Sequence, residues 1–227
     1  MTEHTMQSKS VEDFLKAVFS LQQQEERVST NTLRDALNIT APSVTDMAQR
    51  LVAAGLVDYQ KYRGVVLTDA GREIALRVIR RHRLIELYLV RELGYELREV
   101  HGEAERLEHA VSDHFIEALA RKLGNPQLDP HGDPIPSPEG VIREQHLQPL
   151  TELLPGVKVT IARLKTNDSE MLQHMLDRGF RLNARIEVVE RDPFKGPITA
   201  LVEGKRRVIG HHVAESILVT ADLPEEK

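Results

Sequence analysis

The stretch Ser29–Thr68, "STNTLRDALNITAPSVTDMAQRLVAAGLVDYQKYRGVVLT", strings helix, turn and strand signals together in an order that decides the first domain. A short helix is expected over Thr32–Leu37, then a turn at Asn38 and Ile39. Thr40 opens a second helix as its N-cap. Pro42 sits in the first turn, where its missing N–H costs nothing, and Gly55 ends the helix. Two short helices joined by a tight turn read as a helix-turn-helix. From Leu56 onward two β-prone runs flank Tyr62-Arg63-Gly64, which is a hairpin. A hairpin directly after the second helix makes the unit a winged helix. In such a unit the exposed N-terminal half of the second helix enters the major groove. Thr40, Pro42, Ser43, Thr45 and Arg50 on that helix, with Arg63 on the wing, are therefore the candidate DNA contacts. A helix with a wet face produces the same polar pattern. From Arg27 to Gly71 five basic residues meet four aspartates, a net of +1, so shape carries this inference more than charge does.

Upstream, Val11, Phe14, Leu15, Val18 and Leu21 form an apolar stripe at helical spacing behind Ser10, the expected helix start. Downstream, a helical pattern runs from Thr68 to about Leu93, where Gly94 breaks it. A further helix is expected over about 97–122. Between Gly124 and Gly140 five prolines fall in seventeen residues, so neither helix nor central strand persists, and the stretch reads as a linker. Beyond it "VKVTIARL", "ARIEVVERD", "ITALVEG" and "SILVT" are short, partly alternating strands, with a helix around Glu170–Arg178. These predict a small antiparallel β-barrel.

The 227 residues carry a formal charge of −5 and 41% hydrophobic residues. The negative charge argues against indiscriminate polyanion binding, which needs a basic field to release counterions. No run approaches the roughly 18–20 apolar residues of a membrane span, and the N-terminus lacks a signal peptide's apolar core. A cytoplasmic protein without a membrane partner is expected. There is no cysteine, so any metal must be held by oxygen and nitrogen.

Val100–His114, "VHGEAERLEHAVSDH", supplies such groups. At roughly 100° per residue, His101, Glu105, Glu108 and His109 fall within an arc of about 100°. Ligand spacing and a solvated polar face both account for this. His82 and Glu86, four residues apart, also share a helix face, as a surface pair would. If the helices of 68–93 and 97–122 pack antiparallel, the two stripes converge. Asp13 adds a third element, although three residues after Ser10 it also fits a capping box.

The order of "APSVTDMAQRL", "YQKYRGVVLT", "RHRLIE", "VHGEAERLEHAVSD" and "DPHGDPIP" resembles the iron- and manganese-dependent repressors of the diphtheria toxin repressor and manganese transport regulator family. The likeness spans about Ser10–Pro136, and the tail resembles the family's SH3-like domain more loosely. The resemblance implies a mainly α protein with some β. A winged helix-turn-helix domain (1–75) would be followed by a helical dimerisation and metal-binding domain (76–142) and an SH3-like, FeoA-like barrel (150–224). It implies a homodimeric, metal-activated repressor of metal-uptake genes acting on a palindromic double-stranded operator, and not an enzyme. Carried over by position, Asp13, Glu105, Glu108 and His109 match the family's activating metal site, and His82, Glu86 and His101 its second site. Iron-type members carry Met and Cys where this chain has Asp13 and Glu105, whereas manganese-type members carry Asp and Glu. Manganese-type members with two close metals, however, have a glutamate at the place of Lys16. Asp168 and Glu170 lie near positions that reach the second metal in iron-type members.

Chemistry favours Mn(II) with Fe(II) second. Manganese sits at the weak end of the Irving–Williams series, so a site must favour it through hard oxygen ligands and geometry. Two rival readings remain. A helical dimetal carboxylate enzyme or metallohydrolase would want Glu-x-x-His or His-Glu-x-x-His, and neither pattern occurs in the chain. The other rival is a winged-helix regulator of an organic ligand. Metal-dependent operator binding separates the three.

Overall fold

A computed structural model describes residues 8–221 apart from Glu144 and Asn167. Two compact units emerge. The first comprises residues up to His82 together with Leu107–Ser112 and Pro136–Ile142.

Its helix α1 spans Lys9–Leu21 with Ser8, not Ser10, at the N-cap position. Asp13 therefore lies in the second turn and completes no capping box. Helix α2 (Thr30–Leu37) starts two residues earlier than expected because the Ser29 hydroxyl accepts the Thr32 N–H at 3.0 Å. Asn38, left-handed at φ 50°, closes it. Helix α3 (Ala41–Ala53) is capped by the Thr40 hydroxyl, which accepts from the Ser43 N–H at 3.3 Å. Strands β1 (Val57–Gln60) and β2 (Gly64–Leu67) pair antiparallel as the wing, and Val28 bridges to Val65 beside them. Gly64 is required there. Its φ is 104°, and a Cβ would stand 2.3 Å from the Val28 carbonyl oxygen.

The apolar faces of these elements close on one core, with Phe14, Leu15, Val18, Leu33, Val44, Ala48, Leu51 and Val65 all buried. Burying each large side chain contributes about 1.5–3 kcal/mol, which holds α1 firmly against the helix-turn-helix. Helix α4 (Asp69–Leu93) is continuous, and its part up to His82 belongs to this unit. Arg80, buried, donates to the Pro136 carbonyl at 2.9 Å.

The helix expected over about 97–122 is two: α5 (Val100–Leu107) and α6 (Asp113–Lys122). Glu108–Ser112 forms the turn between them. Local helical pattern is overridden here by ion pairs that Glu108 and His109 make with α1. Ser112 and Asp113 also favour a helix start over a helix interior.

The second unit contains the remainder of α4, the loop up to Ile135 and the C-terminal sheet. That sheet is antiparallel in the order β3-β8-β4-β5-β6-β7. It comprises β3 (Gln148–Pro149), β4 (Lys158–Leu164), β5 (Arg185–Arg191), β6 (Ile198–Val202), β7 (Lys205–Ile209) and β8 (Ile217–Ala221). Helix α7 (Ser169–Asp177) follows β4, and a short α8 (His211–Glu215) precedes β8. Leu150, Ile161, Met175, Phe180, Ile186, Ile198 and Val219 fill its core. The expected barrel is corrected in one respect: among the described residues the end strands β3 and β7 do not pair, so the SH3-like sheet is open. Register shifts at Ile161/Arg163 and Val188/Glu190 disrupt the pairing locally, the kind of irregularity that bends a strand.

The Pro-rich stretch is more than a linker. Asp129 Oδ1 accepts the backbone N–H groups of His131 and Asp133, each at 2.8 Å. The His131 carbonyl takes the Leu164 N–H at 3.0 Å. Gly132 approaches β4 so closely that a Cβ would meet the Ala162 oxygen at 2.1 Å.

Candidate metal centre

One turn of α1 presents Glu12, Asp13 and Lys16, and the turn after α5 brings Glu108 and His109 to it. His109 Nδ1 lies 2.6 Å from Glu12 Oε2. Its other nitrogen, Nε2, lies 2.8 Å from Asp13 Oδ1 and 3.2 Å from Glu108 Oε1. Donor atoms of Asp13, Glu108 and His109 all fall within 4.8 Å of one another. Glu12 is buried and paired to Arg81 at 3.3 Å. Glu108 is fully buried. Its Oε1 and Oε2 stand 2.9 and 3.0 Å from Lys16 Nζ, and Oε2 is 2.6 Å from His82 Nδ1.

The electrostatics follow from this crowding. Burial disfavours a charged His109 ring, but hydrogen bonds to Asp13, Glu108 and Glu12 outweigh it and raise the pKa from 6.5 to about 11. Burial likewise pushes the Glu108 carboxyl up, yet hydrogen bonds with His109 and His82 and the charge of Lys16 hold it well below the ordinary carboxylate range. Three carboxylates thus face two permanent cations and one protonated imidazole. The proton on Nε2, between two carboxylates, stands where a divalent ion would take the same three atoms. Two carboxylate oxygens and one imidazole nitrogen, with no sulfur, form a hard donor set that fits Mn(II) or Fe(II). Glu12 on Nδ1 would fix the ring so that Nε2 faces the ion, as outer partners of metal-bound histidines do.

In the second unit Glu86 is almost fully buried. Its Oε1 has His101 Nδ1 at 3.3 Å and His131 Nε2 at 3.8 Å. His82 precedes Glu86 by one turn of α4. Glu105, its side chain about half exposed, pairs with His101 Nε2 at 3.5 Å and is not one of the three residues that converge around His109. Asp129 is buried, and that burial, with Asp133 and Glu86 nearby, raises its carboxyl to about 7 despite Arg83. Asp168 caps α7 through Oδ1, which accepts the Glu170 and Met171 N–H groups, while Glu170 is exposed.

Sequence reasoning missed Glu12, Asp129 and His131. A second carboxylate beside Asp13 was a visible signal for the first. A histidine between aspartates in "DPHGDP" was a signal for the others, hidden by the linker reading. Of the candidate DNA contacts, Thr40, Pro42, Ser43, Arg50 and Arg63 are exposed. Thr45 is half-buried and donates its hydroxyl to the Ala41 carbonyl at 3.1 Å.

Three domain families match the chain in order. They are the iron dependent repressor N-terminal DNA binding domain over residues 6–65, the iron dependent repressor metal binding and dimerisation domain over 68–137, and the FeoA domain over 148–221. The chain is 31% identical to the iron-dependent repressor IdeR of Mycobacterium tuberculosis, across 92% of this chain and 96% of that protein. Among solved structures it is similar to a manganese-dependent transcriptional repressor in complex with manganese, at 38% identity and TM-score 0.86 over 92% of this chain and 99% of the other. It is also similar to the manganese regulator SloR, at 30% identity and TM-score 0.77 over 93% and 98%.

Proposed function

The chain belongs to the iron-dependent repressor family of metal-dependent transcriptional repressors, and from that premise we propose that it is a manganese(II)-responsive repressor of metal-uptake genes. It acts as a homodimer on a palindromic double-stranded operator, and hence in the cytoplasm, as a regulator and not an enzyme. The observation that carries the manganese reading is the oxygen-rich set around His109 Nε2, with Asp13 Oδ1 and Glu108 Oε1 within 3.2 Å of it and no cysteine in the chain. Iron(II) is the second reading, supported by the similarity to IdeR.

Asp13, Glu108 and His109 would hold the activating ion, with Glu12 orienting the imidazole. Glu86 and His101 offer a further set, with His131 Nε2 3.8 Å from Glu86 Oε1 beside them. A bound divalent ion supplies two positive charges where the unliganded cluster has one proton. Asp13 sits on α1, whose buried face is continuous with the helix-turn-helix core, while Glu108 and His109 sit on the turn after α5. Tightening the distance between them therefore repositions α1 and with it α3. Moving such an equilibrium from 1:99 to 99:1 takes about 5.5 kcal/mol of preference for one state. Ser43 and Arg50 on α3 and Arg63 on the wing are the DNA-facing groups.

Operator binding titrated with Mn(II) and Fe(II) under anaerobic conditions tests the assignment. Activation at lower free Mn(II) than the cell maintains, with Fe(II) ineffective at its own cellular level, supports manganese; the reverse order establishes the iron reading.

A further inference from the structure

Lys16 is placed unlike an ordinary surface lysine. Its Nζ lies 2.9 and 3.0 Å from the two oxygens of Glu108 and 3.2 Å from His82 Nδ1. Its side chain is 18% exposed and that of Glu108 1%. The ammonium is thus chelated by both oxygens of a fully buried carboxylate, beside a histidine nitrogen. Carboxylate oxygens and an imidazole nitrogen around one cation are also what a divalent ion would take. The Glu108 carboxylate consequently has two distinct sides. Oε1 turns to His109 Nε2 at 3.2 Å, next to Asp13. Oε2 turns to His82 Nδ1 at 2.6 Å. Lys16 reaches both oxygens but contacts the histidine only on the second side.

We propose that Lys16 is a tethered cation that fixes the stoichiometry of this cluster: one divalent ion on the Asp13–Glu108–His109 side, with the His82 side of Glu108 closed by the ammonium. The inference rests on the metal reading above and goes beyond it in specifying the ion count. Two effects act together. The ammonium fills the space that an ion bridging Glu108 and His82 would need, and its charge opposes a second dication against a carboxylate already shared with the first. Lys16 also holds both Glu108 oxygens in place, so the remaining ion meets a preformed oxygen donor. His82 becomes a positioning residue for Glu108 at this cluster. A glutamate at position 16 would reverse both effects, removing the blocking charge and adding an oxygen donor.

The test is Mn(II) stoichiometry by equilibrium dialysis, together with the electron paramagnetic resonance spectrum at saturation, for the parent, Lys16→Glu and Lys16→Gln. Two manganese ions sharing one carboxylate give an exchange-coupled spectrum; isolated ions do not. The parent is expected to show no coupled signal, and Lys16→Glu to bind one more ion per chain and acquire that signal. Lys16→Gln is expected to gain the extra ion more weakly, and it carries the comparison if Lys16→Glu does not fold. A coupled pair in the parent overturns the proposal whatever the variants do, while leaving the metal reading intact. Folded variants that bind no more ions than the parent also overturn it. A parent whose uptake is unchanged by Asp13→Ala with His109→Ala contradicts the metal reading itself, and this inference with it.

Discussion

At the scale of single residues, His109 is the pivot, because each of its nitrogens has a separate task. Nδ1 is held by Glu12 and Nε2 by Asp13 and Glu108. With the folded pKa near 11 against 6.5 ordinarily, the charged ring stabilises the ion-free fold fully below about pH 6.5. That contribution is lost as pH rises through 11. On the proposed assignment a metal taking Nε2 would displace this proton, so apparent Mn(II) affinity should rise about tenfold per pH unit between about pH 7 and 9; calorimetry in buffers of different ionisation enthalpy counts the proton released. A pH-independent affinity would show that His109 is no ligand. Glu12→Gln keeps the shape but weakens the grip on Nδ1, and should lower Mn(II) affinity about 10–100-fold. Glu105→Ala, removing a half-exposed partner of His101, should cost less than Asp13→Ala in the same titration. That Asp13, Glu108 and His109 come together was legible from helical spacing and family resemblance for Glu108 and His109, and from the resemblance alone for Asp13, whose place after Ser10 fitted a cap equally well. Glu12 was not, since only the folded chain shows which of two adjacent carboxylates is buried beside a ring nitrogen. Lys16 was noticed as a departure, but its contact with both Glu108 oxygens belongs to tertiary structure.

Elements were legible where their signals are local. Thr40 and Gly55 punctuate the helix-turn-helix by capping chemistry that needs no distant partner, and the wing follows from its turn; the equally local Ser29 cap was not read, so α2 starts two residues before the expected Thr32. Continuity across Glu108 was misjudged because what ends α5 is a set of ion pairs to α1, ninety residues away in sequence. Strand β7, "KRRVI", escaped because three charges in a row mask any alternation. The open sheet was read as a barrel because strand signals do not say whether end strands meet. For the wing, Gly64→Ala should destabilise the protein by at least about 2 kcal/mol, from the left-handed backbone and the blocked approach to Val28; urea unfolding measures it, and an unchanged midpoint would mean that the hairpin repacks. On α3 and the wing, Arg50→Ala and Arg63→Ala should each weaken operator binding by about 1–3 kcal/mol if they reach bases, or flatten its salt dependence if they touch phosphate. Parent-like binding by both across salt would displace the DNA surface from these elements.

For the whole molecule, domain order and chemistry agree: a DNA-binding domain, a metal-binding and dimerisation domain and a FeoA domain follow one another along the chain. The donor cluster around His109 joins the first helix to the turn after α5, so a metal held there would be linked to the placement of the reading helix within a single packed unit. Both ends of that linkage were visible in the sequence as separate patterns; their junction through Glu12, Lys16 and Glu108 required the fold. The most direct measurement is fluorescence anisotropy of a labelled palindromic operator against the full-length protein, with saturating Mn(II) and with chelator, for the parent and for Glu108→Ala. Tight binding by the parent only with metal, and weak binding by Glu108→Ala in both conditions, is the predicted result. Equal affinity of the parent with metal and with chelator would contradict metal-gated DNA recognition.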